Sequence, residues 1–134
     1  MAGRGTRLLP QTLTTPKPLI EIAGKNIVQR IVNIVLKNPS ISIKNMGFII
    51  SNADIKTEEM LYSIGEKNNI KVSVFYQKNP NGTAHAIYCA KKILKGPTLI
   101  IFADTLFETK LIFNKNCDGA IFVKEVEDPS TYGV

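Results

Sequence analysis

The spacing of apolar residues changes several times along this chain, and each change marks an element. Over 26–37, Ile27, Val28, Ile31, Ile34 and Val35 recur every three or four positions. That spacing predicts one stripe of a helix, with Asn38-Pro39 as its stop. The run 46–51 is short, apolar and flanked by turn formers, which predicts a buried strand. Asp54 is placed to cap a second helix that carries Met60, Leu61 and Ile64 inward. Ile70, Val72, Val74 and Tyr76 alternate with other residues, the period of a strand. After Pro80-Asn81-Gly82 a third helix is expected to run to about residue 94, with Ala86, Ala90, Ile93 and Leu94 on one stripe and Gly96-Pro97 breaking it. Residues 98–103 are apolar throughout, as in a central strand covered on both faces. A further strand is predicted over 119–124. Alternating strands and helices of these lengths predict a single α/β layer domain with a mainly parallel sheet.

Residues 1–25 carry Gly, Thr and Pro without periodicity and are expected to form one long loop, a kind of segment that is usually functional. A glycine loop in such a sheet normally follows a strand, yet only Met1 and Ala2 precede Gly3, and no closing element precedes Val134. The pattern predicts a domain shortened at both ends.

Composition narrows the choice of partner. The 17 Lys and Arg outnumber the 11 Asp and Glu, a net charge of +6 that favours anionic ligands. The basic residues form no run of five or six, and no basic strands rich in aromatics appear, which argues against a nucleic-acid module. The longest apolar runs are too short for a membrane span. Cys89 and Cys117 lack metal-ligand spacing and are expected to be buried thiols in a reducing compartment such as the cytoplasm. With His85 the one histidine, a zinc site or a histidine-based triad has little to draw on. Nucleic acid, an anionic membrane and phosphorylated metabolites all fit the sign of the charge, which alone does not choose among them.

The candidate chemistry begins at Gly3-Arg4-Gly5-Thr6-Arg7. Glycines let successive backbone N–H groups converge on phosphate oxygens, although a G-x-G alone equally fits a plain turn. Leu8 stands where a dinucleotide fingerprint needs its third glycine, and no Gly-Lys-Ser/Thr follows. Two cations come soon after, Arg7 and then Lys17, the second held between Pro16 and Pro18 so that little backbone freedom is lost on binding. Asp104 ends the apolar run 98–103. A carboxylate at the end of a parallel strand faces the crevice where α/β proteins bind ligands, although a simple loop cap is the alternative.

Ala2-Gly3-Arg4-Gly5-Thr6-Arg7-Leu8 followed by Thr15-Pro16-Lys17-Pro18-Leu19 resembles the signature of the sugar-nucleotide pyrophosphorylases, or nucleoside-triphosphate transferases. That family includes the glucose-1-phosphate thymidylyl- and uridylyltransferases and the mannose-1-phosphate guanylyltransferases. Gln77-Lys78-Asn79-Pro80-Asn81-Gly82-Thr83-Ala84-His85-Ala86 is similar to its base-recognition segment, and the stretch 126–134 to its approach to the sugar. The resemblance implies a Rossmann-like three-layer fold, of which residues 1–134 are the N-terminal portion of the catalytic domain, without the first strand and the C-terminal part. It implies transfer of a nucleotidyl group from a nucleoside triphosphate, UTP or dTTP favoured, to a sugar 1-phosphate, with release of pyrophosphate. Ala2, Gly3, Arg4, Gly5 and Thr6 would line the triphosphate, with Arg7 and Lys17 as catalytic cations. Gln77, Gly82 and Thr83 would hold the base, Gly133 would contact the sugar, and Asp104 would bind Mg²⁺. Ala103 departs from the family's Gly-Asp pair, and the second metal-binding aspartate and the Glu-Lys-Pro contacts lie downstream of this stretch. His85 is expected only to pack at a helix start. A homo-oligomer of the full-length protein is compatible with all of this. The rival from another class is a regulatory relative that binds nucleotide without turnover; intact Arg7, Lys17 and Asp104 argue against it.

Overall fold

The computed structural model describes residues 19–51, 54–104, 106–109, 111–113, 116–128 and 130. Ala2, Gly3, Arg4, Gly5, Thr6, Arg7, Lys17 and Gly133 lie outside the described residues.

A small hairpin comes first, β1 (Glu21–Ile22) paired antiparallel with β2 (Lys25–Asn26). Its two turn residues, Ala23 and Gly24, have φ of 48° and 71°. Positive φ at both central positions matches the twist of a two-residue hairpin. Asn-Gly is the usual sequence for such a turn, so Ala23-Gly24 gave little warning, and the long loop expected over 1–25 is replaced at its end by this hairpin. The Arg30 guanidinium donates to the carbonyls of Ile22 and Ala23, fastening the turn to the helix that follows.

That helix, α1 (Ile27–Leu36), starts at Asn26. The Asn26 side chain accepts from Gln29 N–H at 2.8 Å while the Gln29 side chain accepts from Asn26 N–H at 3.2 Å. Together they satisfy two N–H groups that a helix start leaves without partners. Its apolar residues split into two stripes. Val28 and Val32 pack with Phe48, Ile50, Leu61 and Ile64, whereas Ile27, Ile31 and Val35 face Ile41, Ile43, Leu99, Ile101, Ala103 and Phe107. The helix is thus buried on two sides.

Strands β3 (Asn45–Ile50) and β4 (Lys71–Tyr76) run parallel, in register from Asn45 opposite Lys71 to Ile50 opposite Tyr76. Helix α2 (Ile55–Asn68) is the crossover between them. Asp54 caps it as expected, accepting from Thr57 N–H at 3.2 Å and from the Thr57 hydroxyl. Those bonds, the hydroxyl first, hold the Asp54 carboxyl below its ordinary value. The helix ends at Asn69, whose φ of 53° lets Asn69 N–H and Ile70 N–H reach back to the carbonyls of Glu66 and Gly65. Leu61 is wholly buried beneath the strand pair. On the opposite face of the sheet Gly47 is in close contact with Ile93, so α1 and α2 cover one face and the turn after α3 (Gly82–Cys89) approaches the other. The α/β class with a parallel strand pair is as read from the alternation.

Four expectations are corrected. The third helix ends at Cys89 rather than near 94, passing into turns over 90–93 in which Ala90 is nonetheless buried. Residues 98–103 form no ladder among the described residues. Leu99, Ile101 and Ala103 turn onto α1 while Ile100 and Phe102 are about half exposed, so one face of this segment is covered instead of two. Residues 119–124 likewise form no strand, and Ile121 is 89% exposed. Cys89 is half-buried but Cys117 is exposed, which removes the second buried thiol.

Gly65 makes a direct test of the crossover packing. A Cβ there would lie 2.5 Å from Val72 Cγ2 and 2.7 Å from the backbone oxygen of Ile70. Backbone cannot move aside cheaply, so Gly65→Ala should cost about 1–3 kcal/mol. Urea melts should show a lower midpoint for this variant and an unchanged one for Gly119→Ala, where an added Cβ meets nothing within 4 Å among the described residues.

Candidate functional site

Because β3 and β4 are parallel and in register, Ile50 and Tyr76 end at the same edge of the sheet. The ladder continues one step further, with Gln77 N–H donating to Ile50 O at 2.8 Å. Gln77 therefore emerges at the carboxyl edge of the pair, where ligands of open α/β sheets bind. It is only 4% exposed. A buried amide must find partners, and Gln77 Nε2 has two: it donates to Gly82 O at 2.9 Å and lies 3.0 Å from His85 Nδ1.

The backbone between these groups explains the arrangement. Gly82 has φ of 86°, a conformation that a side chain would strain, and this turns its carbonyl toward Gln77. Among the described residues no atom lies within 4 Å of where a Gly82 Cβ would be, so they leave the approach to its backbone open. Gly82 also begins α3, whose cap residue Asn81 makes no side-chain capping bond. Helix side chains lean toward the N-terminus, so His85, three residues into α3, reaches back over Gly82 toward Gln77. The structure thus assembles Gln77, Gly82 and His85, with Thr83 exposed beside them in the first turn. His85 was expected merely to pack; the signal for more was its place one helical turn after the glycine.

Asp104 is exposed in the turn after Ala103 and is positioned through Ala103 and Phe107, which pack on α1. Among the described residues no group of three His, Cys, Asp or Glu could hold a metal ion. One protein carboxylate, as Asp104 would supply, fits Mg²⁺, which keeps several waters and typically takes one or two carboxylates together with substrate phosphates. Among the described residues no helix is long and apolar enough to cross a membrane.

Compared with known proteins, all of residues 1–134 match the family model described as nucleotidyl transferase. The chain belongs to the nucleotidyl transferase family. It is 34% identical over 135 residues to the bifunctional protein GlmU of Methanococcus aeolicus, covering 99% of this chain and 31% of that protein. It is 32% identical over 143 residues to the mannose-1-phosphate guanylyltransferase catalytic subunit beta of Danio rerio, covering 100% of this chain and 39% of that protein. A solved UDP-glucose pyrophosphorylase in complex with UDP-glucose matches with a TM-score of 0.51 and 26% identity, over 69% of this chain and 39% of that one. The chain spans about a third of the length of the curated relatives it matches.

Tyr76, the residue before Gln77, ties this edge to α2. Its hydroxyl is hydrogen-bonded to Glu58, and that bond, with desolvation and the carboxylate charge, pushes the phenol up to about 12 from 10.0. The folded state holds this proton more tightly than the unfolded state. Its contribution to stability is therefore complete below pH 10 and is lost as pH rises through about 12. An ultraviolet titration should show the Tyr76 phenol ionising late, and Glu58→Ala should return it toward 10.

Proposed function

We propose that the protein containing this chain transfers a nucleotidyl group from a nucleoside triphosphate to a sugar 1-phosphate, with UTP or dTTP the favoured donor. An oxygen of the sugar phosphate attacks the α-phosphorus, the bond from that phosphorus to the bridging oxygen breaks, and pyrophosphate departs with the electron pair. Positioning and charge neutralisation do most of the catalysis, because no protein nucleophile is required. Ala2, Gly3, Arg4, Gly5 and Thr6 bind the triphosphate, Arg7 stabilises the developing charge, and Lys17 neutralises a phosphate near the reacting centre. Mg²⁺ held by Asp104 would supply further charge neutralisation on the phosphate oxygens. Gly133 contacts the sugar. In this reading residues 1–134 form the nucleotide-binding part of a cytoplasmic enzyme's catalytic domain.

The observation that carries the proposal within the family is Gln77. A residue expected to read the base is buried at the carboxyl edge of the parallel pair and bonded to the glycine expected beside it. Its amide suits the imide edge of uracil or thymine, and Thr83 stands next to the same turn. GTP is the second donor to consider, since guanine also carries a ring N–H and a guanylyltransferase is among the relatives.

Pyrophosphate release should be measured with UTP, dTTP, GTP and ATP against several sugar 1-phosphates. The expected result is Mg²⁺-dependent release that needs both substrates and is highest with UTP or dTTP. Arg7→Ala should lower kcat strongly and nucleotide affinity less. Equal rates with all four nucleotides would remove the base assignment, and a change confined to KM would remove the transition-state role of Arg7.

A further inference from the structure

We infer that His85 is a positioning residue that sets base specificity through the Gln77 amide, an inference that rests on the base site proposed above. A Gln side chain can present either an acceptor or a donor to a ligand, and the two choices select different bases. Here the choice is made within the protein. Gly82 O can only accept, so the group facing it at 2.9 Å must be the Nε2 amine of Gln77. The same nitrogen has one more hydrogen, and His85 Nδ1 lies 3.0 Å from it. For that hydrogen bond to form, Nδ1 must offer its lone pair, which places the imidazole proton on Nε2.

Both amide hydrogens are then committed inside the protein. Whatever Gln77 offers a ligand is its carbonyl oxygen, an acceptor. An acceptor suits a base whose ring nitrogen at that edge carries a proton, as in uracil, thymine and guanine. It opposes cytosine and adenine, whose ring nitrogen there is itself an acceptor. His85 engages the one N–H that could otherwise serve a cytosine ring nitrogen. Uracil and cytosine have the same size, so discrimination between them isolates this hydrogen-bond polarity from shape.

The substitutions that test it are His85→Leu, which keeps bulk but removes the acceptor, and His85→Asn, whose side-chain oxygen can occupy the place of Nδ1. Two measurements apply to each full chain: hydrogen exchange of the Gln77 side-chain amide by NMR without ligand, and displacement of a fluorescent nucleotide by UTP and by CTP. The native chain should protect the amide hydrogens and bind UTP at least about tenfold more tightly than CTP, the ratio that corresponds to about 1.4 kcal/mol. His85→Leu should lose the protection and bring the two nucleotides within about threefold, chiefly through tighter CTP binding. His85→Asn should restore both properties, which a purely structural role for the ring would not. A His85→Leu variant that keeps the native UTP-to-CTP ratio, or native exchange as fast as that of His85→Leu, overturns the role of His85 and leaves the base site intact. A native chain that binds UTP and CTP alike while its Gln77 amide stays protected overturns the base site itself, and this inference with it.

Discussion

The hydrogen bond from Gln77 N–H to Ile50 O fixes where the parallel ladder ends, and the rest of the candidate site follows from it. In a parallel pair both strands finish at one edge, so a single register decides which residues meet there. Side chains alternate along a strand, and a one-residue slip of β4 would put the Gln77 side chain on the opposite face and carry it away from Gly82. The register is held by apolar packing on one face. Phe48 and Ile50 of β3, with Val72 and Val74 of β4, face Val28, Val32, Leu61 and Ile64. Core packing and site geometry are thus one arrangement, because the residues that bury the sheet face also set the height at which Gln77 leaves it.

A second constraint lies in the turn from β4 to α3. Gly82 adopts a backbone conformation that other residues resist, and this aims its carbonyl back at a buried amide. Gln77 would be costly to bury without partners, roughly 1–3 kcal/mol for a group left without a hydrogen bond. Gly82 and His85 meet that need from a single helical turn. The same two bonds that make the amide tolerable in the interior also restrict what it can offer outward. At the proposed base site, stability and recognition would use the same atoms.

Much of this was legible in the sequence. The stripes that begin at Ile27 and Met60 gave α1 and α2, Asp54 gave a cap that depends on one short side chain, and the β3 and β4 runs appeared where expected. Two of the failures share a cause. The segments 98–103 and 119–124 have strand composition but pair with no strand among the described residues, and composition says nothing about pairing. The hairpin at Ala23-Gly24 was hidden because alanine is an unusual residue for a positive φ. At the site, the motif pointed to Gln77 and Gly82 together, and the structure brings them within hydrogen-bond distance. The contact between His85 and Gln77 was not foreseen because it depends on the direction in which a helical side chain leans, which spacing conveys only once the helix start is known.

The central claim is that a nucleotide base docks against Gln77 at the carboxyl edge of β3 and β4. Titrating isotope-labelled chain with UTP in the presence of Mg²⁺, and following amide signals by NMR, tests it most directly. The largest shifts should fall on the Gln77 side-chain amide and on the backbone of Gly82, Thr83 and His85, with little change along α2. Shifts concentrated on α2 or on residues 119–128, with the Gln77 amide unmoved at saturation, would contradict it.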